Sequence, residues 1–282
     1  MEGARTDEER EWARKGLREA EDECLNELRA KVLGLSQQIV EDRAPSGLIG
    51  SGMPQLPPGR AEALATAADT VAALEPPTTA RGHFRQGNAF YAAGEFEKAL
   101  AAYNAALELR PDHPATLNNR GTALDSLGRH EEALADYNRS LELTPDDPAT
   151  LSNRGGALGD LGRHEEALAD FNRSLELRPD HADTLSNRGA TLLHLHRYDQ
   201  ALADFNRSLD LRPDHPGALY NRACAFSLMQ RCSEALPDLA AAIKIDAKYR
   251  DMAREDEDFQ GLRNDPEWGP KFWEIVGTED KP

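Results

Sequence analysis

The chain has 282 residues, of which 39% are hydrophobic and 29% are charged, and its formal net charge is −17. This composition predicts a soluble protein with one main domain and appendages. An acidic surface repels phosphate backbones and anionic lipid, so nucleic acid and membranes are excluded as expected partners, and neutral to basic proteins or peptides are favoured.

The first 79 residues divide into a helical segment, a linker and a short second helix. Thr6 and Glu9 form a capping-box pattern, and an amphipathic helix is predicted within residues 1–43. Residues 44–60 are rich in Gly, Pro and Ser, which is typical of a flexible linker. A short Ala-rich helix within residues 61–79 is predicted to lead into the rest of the chain.

Apolar residues in the first helix follow a heptad-like spacing that covers fewer than three heptads. Two interpretations stay open, because so short a stripe can pack on the rest of the chain or dimerise. The N-terminus has no apolar run, so neither a signal peptide nor a membrane span is expected, and we expect a cytoplasmic protein. The three cysteines form no CxxC pair and are expected to be free thiols. The stripe comprises Leu25, Leu28, Val32, Leu35 and Ile39.

A unit of 34 residues recurs through residues 80–249. Three close copies begin at Pro114, Pro148 and Ala182, and looser copies precede and follow them. A fixed period of this size predicts one helical hairpin per copy, each stacked on its neighbours. The predicted repeats are 80–113, 114–147, 148–181, 182–215 and 216–249, and residues 250–282 are predicted to form a C-terminal cap and tail.

The second copy shows why the unit is expected to fold as a hairpin. Apolar residues at helical spacing predict one helix over residues 115–127 and another that begins near His130. Gly128 ends the first helix and Pro145 follows the second. Gly121 is small where the two helices are expected to cross, opposite another small residue, Ala133, which lets the backbones approach.

This pattern of small, large and aromatic residues resembles the tetratricopeptide repeat (TPR) family, and the tail resembles the end segment of bacterial TPR proteins. The resemblance implies an all-α, right-handed α-solenoid of about five TPR-like helical hairpins, with an N-terminal helical extension and a C-terminal capping helix. It also implies a concave groove lined by the first helix of each hairpin. The fifth unit departs from the pattern, with Ala223 for the glycine, Leu239 for the aromatic residue and Ala247 for the proline. In the second copy the matching residues are Leu117, Gly121, Leu124, Ala133, Tyr137, Ser140 and Pro145.

The second and third copies differ at seven of 34 positions, and four of these lie on the expected groove side of the first helix. An edited face beside a constant core indicates either contact with a partner or drift of exposed positions, and both interpretations stay open. The four pairs are Asn118/Ser152, Thr122/Gly156, Asp125/Gly159 and Ser126/Asp160.

An asparagine recurs on the same side in four successive copies. Its amide can pair with the C=O and N–H of an extended peptide, similar to the asparagine ladder of the O-GlcNAc transferase TPR superhelix; alternatively it bonds the neighbouring helix. Phe84, Tyr91 and Tyr220 are expected to flank the groove ends as apolar anchors. The predicted peptide-binding groove comprises Asn119, Asn153, Asn187, Asn221, Asn88, Phe84, Tyr91, Asn118, Thr122, Asp125, Ser152, Ser186 and Tyr220.

Other periodic residues have structural interpretations. Arginines in the first helices and aspartates in the second are predicted to form an interhelix ladder, and the N-x-S triplets at Asn138, Asn172 and Asn206 are discounted as glycosylation sites. Histidines one repeat apart are too distant to share a zinc ion, so no metal and no cofactor are expected. The ladder pairs Arg120, Arg154, Arg188 and Arg222 with Asp136, Asp170, Asp204 and Asp238.

The sequence contains no P-loop, GxSxG or HExxH motif, so no enzyme is predicted. The leading hypothesis is a non-catalytic protein–protein interaction module that binds a peptide or helix of a partner in the concave groove. The alternative is a self-assembling scaffold, possible as a homodimer through the N-terminal helix.

Overall fold

The computed structural model describes residues 78–277, which fall into two compact units, residues 78–111 and residues 112–277. Within these residues the secondary structure is helical without a β-strand, which confirms the all-α fold. The predicted helix in 1–43, the linker 44–60 and nearly all of 61–79 lie outside the described residues. The dimerisation hypothesis concerns that first helix and therefore also lies outside them.

The first unit is one helical hairpin. Helix α1 (Ala80–Ala92) begins where the Thr79 hydroxyl accepts a hydrogen bond from the Gly82 N–H at 3.1 Å. A turn follows at Gly94, whose φ of +81° favours glycine, and α2 (Phe96–Leu109) runs back against α1.

The second unit contains four hairpins built on one plan. In each, a first helix of 13 residues is followed by a second of 14. The predicted bounds of the second copy agree to within one residue. The hairpins are α3 (Pro114–Ser126) with α4 (His130–Leu143), α5 (Pro148–Asp160) with α6 (His164–Leu177), α7 (Ala182–His194) with α8 (Tyr198–Leu211), and α9 (Pro216–Leu228) with α10 (Cys232–Ile245).

Each first helix of this unit is capped by the side chain that precedes it. Asp147 accepts from the Thr150 N–H, and the imidazole Nδ1 of His113, His181 or His215 accepts in the same way at the other three helices. The accepted N–H lies three residues beyond the cap, so one otherwise unpaired donor is satisfied at every helix start.

A glycine in the first helix accommodates an aromatic ring from the second helix of the same repeat. A Cβ at Gly121 would lie 2.7 Å from Tyr137 Cε1, and one at Gly189 would lie 2.6 Å from Phe205 Cε1. The crossing that the sequence placed between Gly121 and Ala133 is therefore a contact between Gly121 and the buried ring of Tyr137. In the fifth repeat Ala223 and Leu239 occupy the equivalent places, both fully buried, so a larger residue in one helix accompanies a smaller one in the other.

The C-terminal segment closes the end of the second unit, as the predicted cap requires. It consists of α11 (Lys248–Glu255), a 3₁₀ turn (Glu257–Phe259), α12 (Gln260–Asn264) and α13 (Gly269–Val276), and it packs on α9 and α10. Its apolar side chains join the core that α9 and α10 would otherwise expose to water. The buried apolar residues are Tyr249, Ala253, Phe259, Leu262, Phe272 and Val276. Among residues 78–277, no helix combines the length and the apolarity that crossing a bilayer requires.

Candidate functional site

The first helices of the second unit contact one another in sequence, α3 with α5, α5 with α7 and α7 with α9. The second helices α4, α6 and α8 also pack on the first helix of the next repeat. We call the side of α3, α5, α7 and α9 that carries Asn119, Asn153, Asn187 and Asn221 the asparagine face. Residues at the same place in successive repeats are therefore neighbours along the unit.

The predicted ladder of arginine and aspartate forms between the two helices of each repeat in this unit. In each pair the arginine Nε donates to one carboxylate oxygen and Nη2 donates to the other, at 2.6–2.8 Å. The aspartate side chains are only 8–12% exposed, so the bonds lie in a low-dielectric environment where a charge-assisted pair holds the hairpin in one geometry.

The third nitrogen of the same arginines ties successive repeats together. Arg154 Nη1 donates to Asn138 Oδ1 of the preceding repeat at 2.8 Å, and the bond recurs at the next two junctions at 2.9 and 2.7 Å. The asparagine of each N-x-S triplet thus has a structural role that the sequence analysis did not assign. The sequence does contain a signal for this bond, because the asparagine and the arginine both recur with the period of 34. Asn138 and Arg154 lie 16 residues apart, which is also the separation within each ladder pair. The other two pairs are Arg188 with Asn172 and Arg222 with Asn206.

Two members of the asparagine row take part in hydrogen bonds within the stack. Asn153 Nδ2 donates to Asn118 Oδ1 at 3.1 Å and lies 3.5 Å from Thr122 Oγ1. Asn118 Nδ2 in turn donates to Asn119 Oδ1 at 3.3 Å. Between the second and third repeats, the amides therefore hold neighbouring helices together.

Asn187 differs from Asn153 although the two occupy equivalent places. Asn187 is only 3% exposed, and its Nδ2 has no hydrogen-bond acceptor within the described residues. A buried donor without an acceptor costs about 1–3 kcal/mol of stability. Four other buried side-chain atoms of the described residues also lack a hydrogen-bond partner, and none of them belongs to the asparagine row.

The edited positions explain why Asn187 lacks an acceptor. The partners of Asn153 are Asn118 and Thr122, and one repeat later these places hold Ser152 and Gly156. Gly156 has no side chain, and Ser152 Oγ hydrogen-bonds to Thr184 Oγ1 at 2.9 Å instead. Two of the substitutions between the copies have thus removed the internal partners of one amide while the amide itself is retained.

The remaining predicted residues of this face are placed as follows. Thr122, Ser152 and Ser186 are buried between the helices, and Thr122 donates to the carbonyl of Asn118. Asn221 is half-buried. Of the eight residues at the edited positions, Thr122, Ser152, Gly156 and Gly159 are buried, and Ser126 and Asp160 are exposed.

Tyr220 was expected to flank a groove end as an apolar anchor, but the structure buries it. Tyr220 is only 3% exposed, because Tyr249 and Phe259 of the C-terminal segment pack on its ring at centroid distances of 4.8 and 5.7 Å. Its hydroxyl donates to Asp256 Oδ2 at 2.7 Å, and burial followed by nearby negative charge raises the pKa of Tyr220. Tyr220 is therefore a packing residue beneath the cap, a location that its sequence could not reveal.

The three candidates of the first unit lie in one hairpin. Asn88 Oδ1 accepts a hydrogen bond from the Tyr103 hydroxyl at 2.8 Å. Phe84 packs against the Tyr103 ring, and Tyr91 against Phe96, at centroid distances of 6.2 and 5.3 Å. All three candidates are half-buried, so each combines a packing role with partial exposure.

Asp125 belongs to a cluster at the turn between α3 and α4. Its Oδ1 lies 2.7 Å from His130 Nδ1, and Asp160 Oδ2 of the next repeat lies 4.0 Å from the same nitrogen. Burial raises the pKa of Asp125, with the His130 contact acting against the rise. Burial and then the charge of Asp125 raise the pKa of Asp160 to about 6.

The equivalent turn of the next repeat contains a different arrangement. His164 stacks on His194 with a centroid distance of 4.9 Å and an interplanar angle of 8°. Burial, followed by the neighbouring imidazole, lowers the pKa of His164. Two parallel imidazoles at this distance favour the neutral form of both rings.

A stack of helical hairpins, tied by repeated polar ladders and capped at its end, defines an all-α repeat solenoid. Three sequence profiles described as "Tetratricopeptide repeat" match residues 84–148, 148–181 and 180–248. The chain belongs to the tetratricopeptide repeat family. The comparison with curated protein sequences found no match.

Solved structures similar to the chain are also TPR proteins. TTC0263 of Thermus thermophilus, a thermophilic TPR protein, is 24% identical with a TM-score of 0.54, over 65% of this chain and 99% of that chain. That likeness shows a shared fold. YrrB, described as a TPR protein with an unusual peptide-binding site, is 24% identical over 70% and 100% of the two chains, with a TM-score of 0.49. The first TPR of Spaghetti (RPAP3), bound to the HSP90 peptide SRMEEVD, is 26% identical over 42% and 94%, with a TM-score of 0.41.

Proposed function

We propose that the second unit is a non-catalytic protein-interaction module that binds an extended peptide segment of a partner protein along its asparagine face. The observation that carries the proposal is the buried Nδ2 of Asn187, which has no acceptor within the described residues. Because this atom is buried, the Asn187 side chain would have to turn toward the asparagine face before a ligand could reach it. A backbone carbonyl of a bound peptide would then supply the acceptor, and relief of the unsatisfied donor would contribute to affinity.

The asparagine row has unequal roles in this proposal. The Nδ2 of Asn153 already donates across the repeat junction, so a ligand carbonyl would have to compete with the acceptors there for that group. Asn187 has no such bond to lose. We therefore infer that Asn187 is the principal polar contact and that Asn153 mainly maintains the stack.

The charge of the chain sets the class of partner. With a net charge of −17, association with basic or neutral segments is favoured and association with acidic segments is opposed. Because a side-chain amide hydrogen-bonds to the peptide backbone and not to a particular side chain, the side chains of the partner would add selectivity mainly through charge and size.

The test is selection of peptides from a random display library on the immobilised full chain, followed by titration of one selected peptide. Asn187→Ala should weaken binding by at least about tenfold, since 1.4 kcal/mol corresponds to a factor of ten. Asn264→Ala is the control, because it removes an exposed side-chain amide from α12, away from the asparagine face. Circular dichroism should show unchanged helix content in both variants.

A second variant tests the mechanism without deleting the amide. Ser152→Asn with Gly156→Thr copies the second repeat and gives Asn187 the two partners that Asn153 has. We expect this double variant to bind the selected peptide as weakly as Asn187→Ala. Unchanged affinity in both variants, with the fold intact, would show that the peptide binds elsewhere.

A further inference from the structure

We propose that Asp125, His130 and Asp160 form a binding site for a divalent transition-metal cation of the Zn²⁺ type, at the junction of the second and third repeats. The three side chains offer one imidazole nitrogen and two carboxylate oxygens, and these atoms lie within 4.8 Å of one another. One nitrogen and two oxygens are a ligand set that suits zinc and related cations better than all-oxygen magnesium sites.

The distances are close to those a bound ion requires. Ligand bonds of about 2.0–2.2 Å around a tetrahedral ion place the donor atoms roughly 3.3 Å apart. The pair formed by His130 Nδ1 and Asp125 Oδ1 is shorter than this, at 2.7 Å, and the pair formed by His130 Nδ1 and Asp160 Oδ2 is longer, at 4.0 Å. Side-chain rotations that move the donor atoms by about 1 Å would therefore produce tetrahedral donor spacing without moving the helices.

The helix ends provide an independent reason to expect a cation here. Asp160 is the last residue of α5, and Asp125 is the last but one of α3. The C-terminal end of a helix carries partial negative charge and favours a cation, yet neither helix has a basic residue in its last turn. Two carboxylates at two such ends repel each other unless a positive charge lies between them.

The cluster exists at only one junction among those of the three close copies. In the next repeat the places of the two aspartates hold Gly159 and His194, although His164 keeps the place of His130. Histidines at equivalent places lie one repeat apart and gave no reason to expect a metal from the sequence. The cluster instead combines different residues from adjacent turns.

The experiment is calorimetric titration of the full chain with Zn²⁺, with Mg²⁺ as the comparison ion. We expect a saturable 1:1 isotherm for Zn²⁺, weakened at least about tenfold by Asp160→Asn or Asp125→Asn, because loss of even a supporting residue costs about 10–100-fold in metal affinity. Glu131→Gln removes the same charge from an adjacent exposed position, and His164→Ala removes the equivalent imidazole. Neither control should change the affinity.

A transplanted site gives a gain-of-function test. Gly159→Asp with His194→Asp would copy the cluster around His164, and this variant should bind a second equivalent of Zn²⁺. In the wild type, NMR signals of the His130 ring should shift on addition of Zn²⁺, which tests the site without relying on a variant that must fold.

Three results would overturn the proposal. They are the absence of saturable Zn²⁺ binding by the wild type, equal weakening by the control variants, and shifts at His164 and His194 in place of His130. The last result would assign the ion to the stacked histidine pair.

Discussion

The contact between Gly189 and Phe205 leads to a quantitative prediction about the core. A Cβ at Gly189 would lie 2.6 Å from Phe205 Cε1, and the ring is fully buried, so it has no space into which to move. Overpacking of this kind costs about 1–3 kcal/mol. Alanine also favours the helix by about 1 kcal/mol relative to glycine, so Gly189→Ala should lower the free energy of unfolding by about 0–2 kcal/mol.

The fifth repeat supplies the compensating change. There Ala223 accompanies Leu239, so Phe205→Leu should make room for the added methyl group. Phe205→Leu alone should cost about 2 kcal/mol through loss of buried contacts. In the double variant the overpacking disappears while the gain in helix propensity remains, so its cost should be about 1 kcal/mol. The expected coupling free energy between the two substitutions is therefore about −1 to −3 kcal/mol.

Urea unfolding of the full chain, followed by circular dichroism, measures the four corners of this cycle. Gly162→Ala is the control, because Gly162 has a φ of +72° and a Cβ there would meet no atom within 4 Å. Its cost should come from the left-handed backbone, about 1–2 kcal/mol, and should not couple to Phe205→Leu. Additivity within about 0.5 kcal/mol for Gly189→Ala with Phe205→Leu would refute the packing argument.

Three further predictions concern polar groups. Arg154→Met leaves the Asp170 carboxylate, which is only 10% exposed, without its guanidinium. The free energy of unfolding in urea should fall by about 2 kcal/mol, after allowance for the partial exposure of the pair. Wild-type stability of this variant would contradict the role of the ladder. Burial and the charge of Asp256 raise the pKa of Asp258 to about 6, so the contribution of Asp258 to the free energy of unfolding should fall as the pH rises from about 4 to 6, because the folded carboxyl holds a proton that the unfolded chain releases. Asp258→Asn should therefore raise the free energy of unfolding at pH 7.5 by an amount on the order of 1 kcal/mol, which a higher melting temperature would show. At pH 4 the substitution should not raise it. Tyr220→Phe removes the 2.7 Å bond to Asp256 and should cost about 1–2 kcal/mol by the same unfolding assay, with wild-type stability as the opposing outcome.

The fold followed from the sequence because its signals are periodic and local. The spacing of apolar residues, with Gly128 and Pro145 at the boundaries, predicted the hairpin of the second copy to within a residue. The ladder between Arg154 and Asp170 was predictable for the same reason, since both residues recur with the period of the repeat. In a stack of like units, the residues that contact one another are separated by the same number of positions in every repeat.

The differences within the candidate site could not be predicted in this way. Asn153 and Asn187 have the same place in their repeats, and only the residues at 152 and 156 decide whether the amide has a partner. The burial of Tyr220 depends on a segment that carries no repeat, so the period gave no information about it. Asp125 and Asp160 lie 35 residues apart and meet only because one turn packs on the next.

The recurring bond from an arginine to the asparagine of the preceding repeat also bears on how such a chain can change in length. Arg154, Arg188 and Arg222 each find an asparagine at the same place in the unit before them. A duplicated unit of 34 residues would thus arrive with both halves of its junction already present, one for the unit before it and one for the unit after it. Extension of the array therefore requires no new complementary surface, and subsequent substitutions can be confined to positions that distinguish one copy from another.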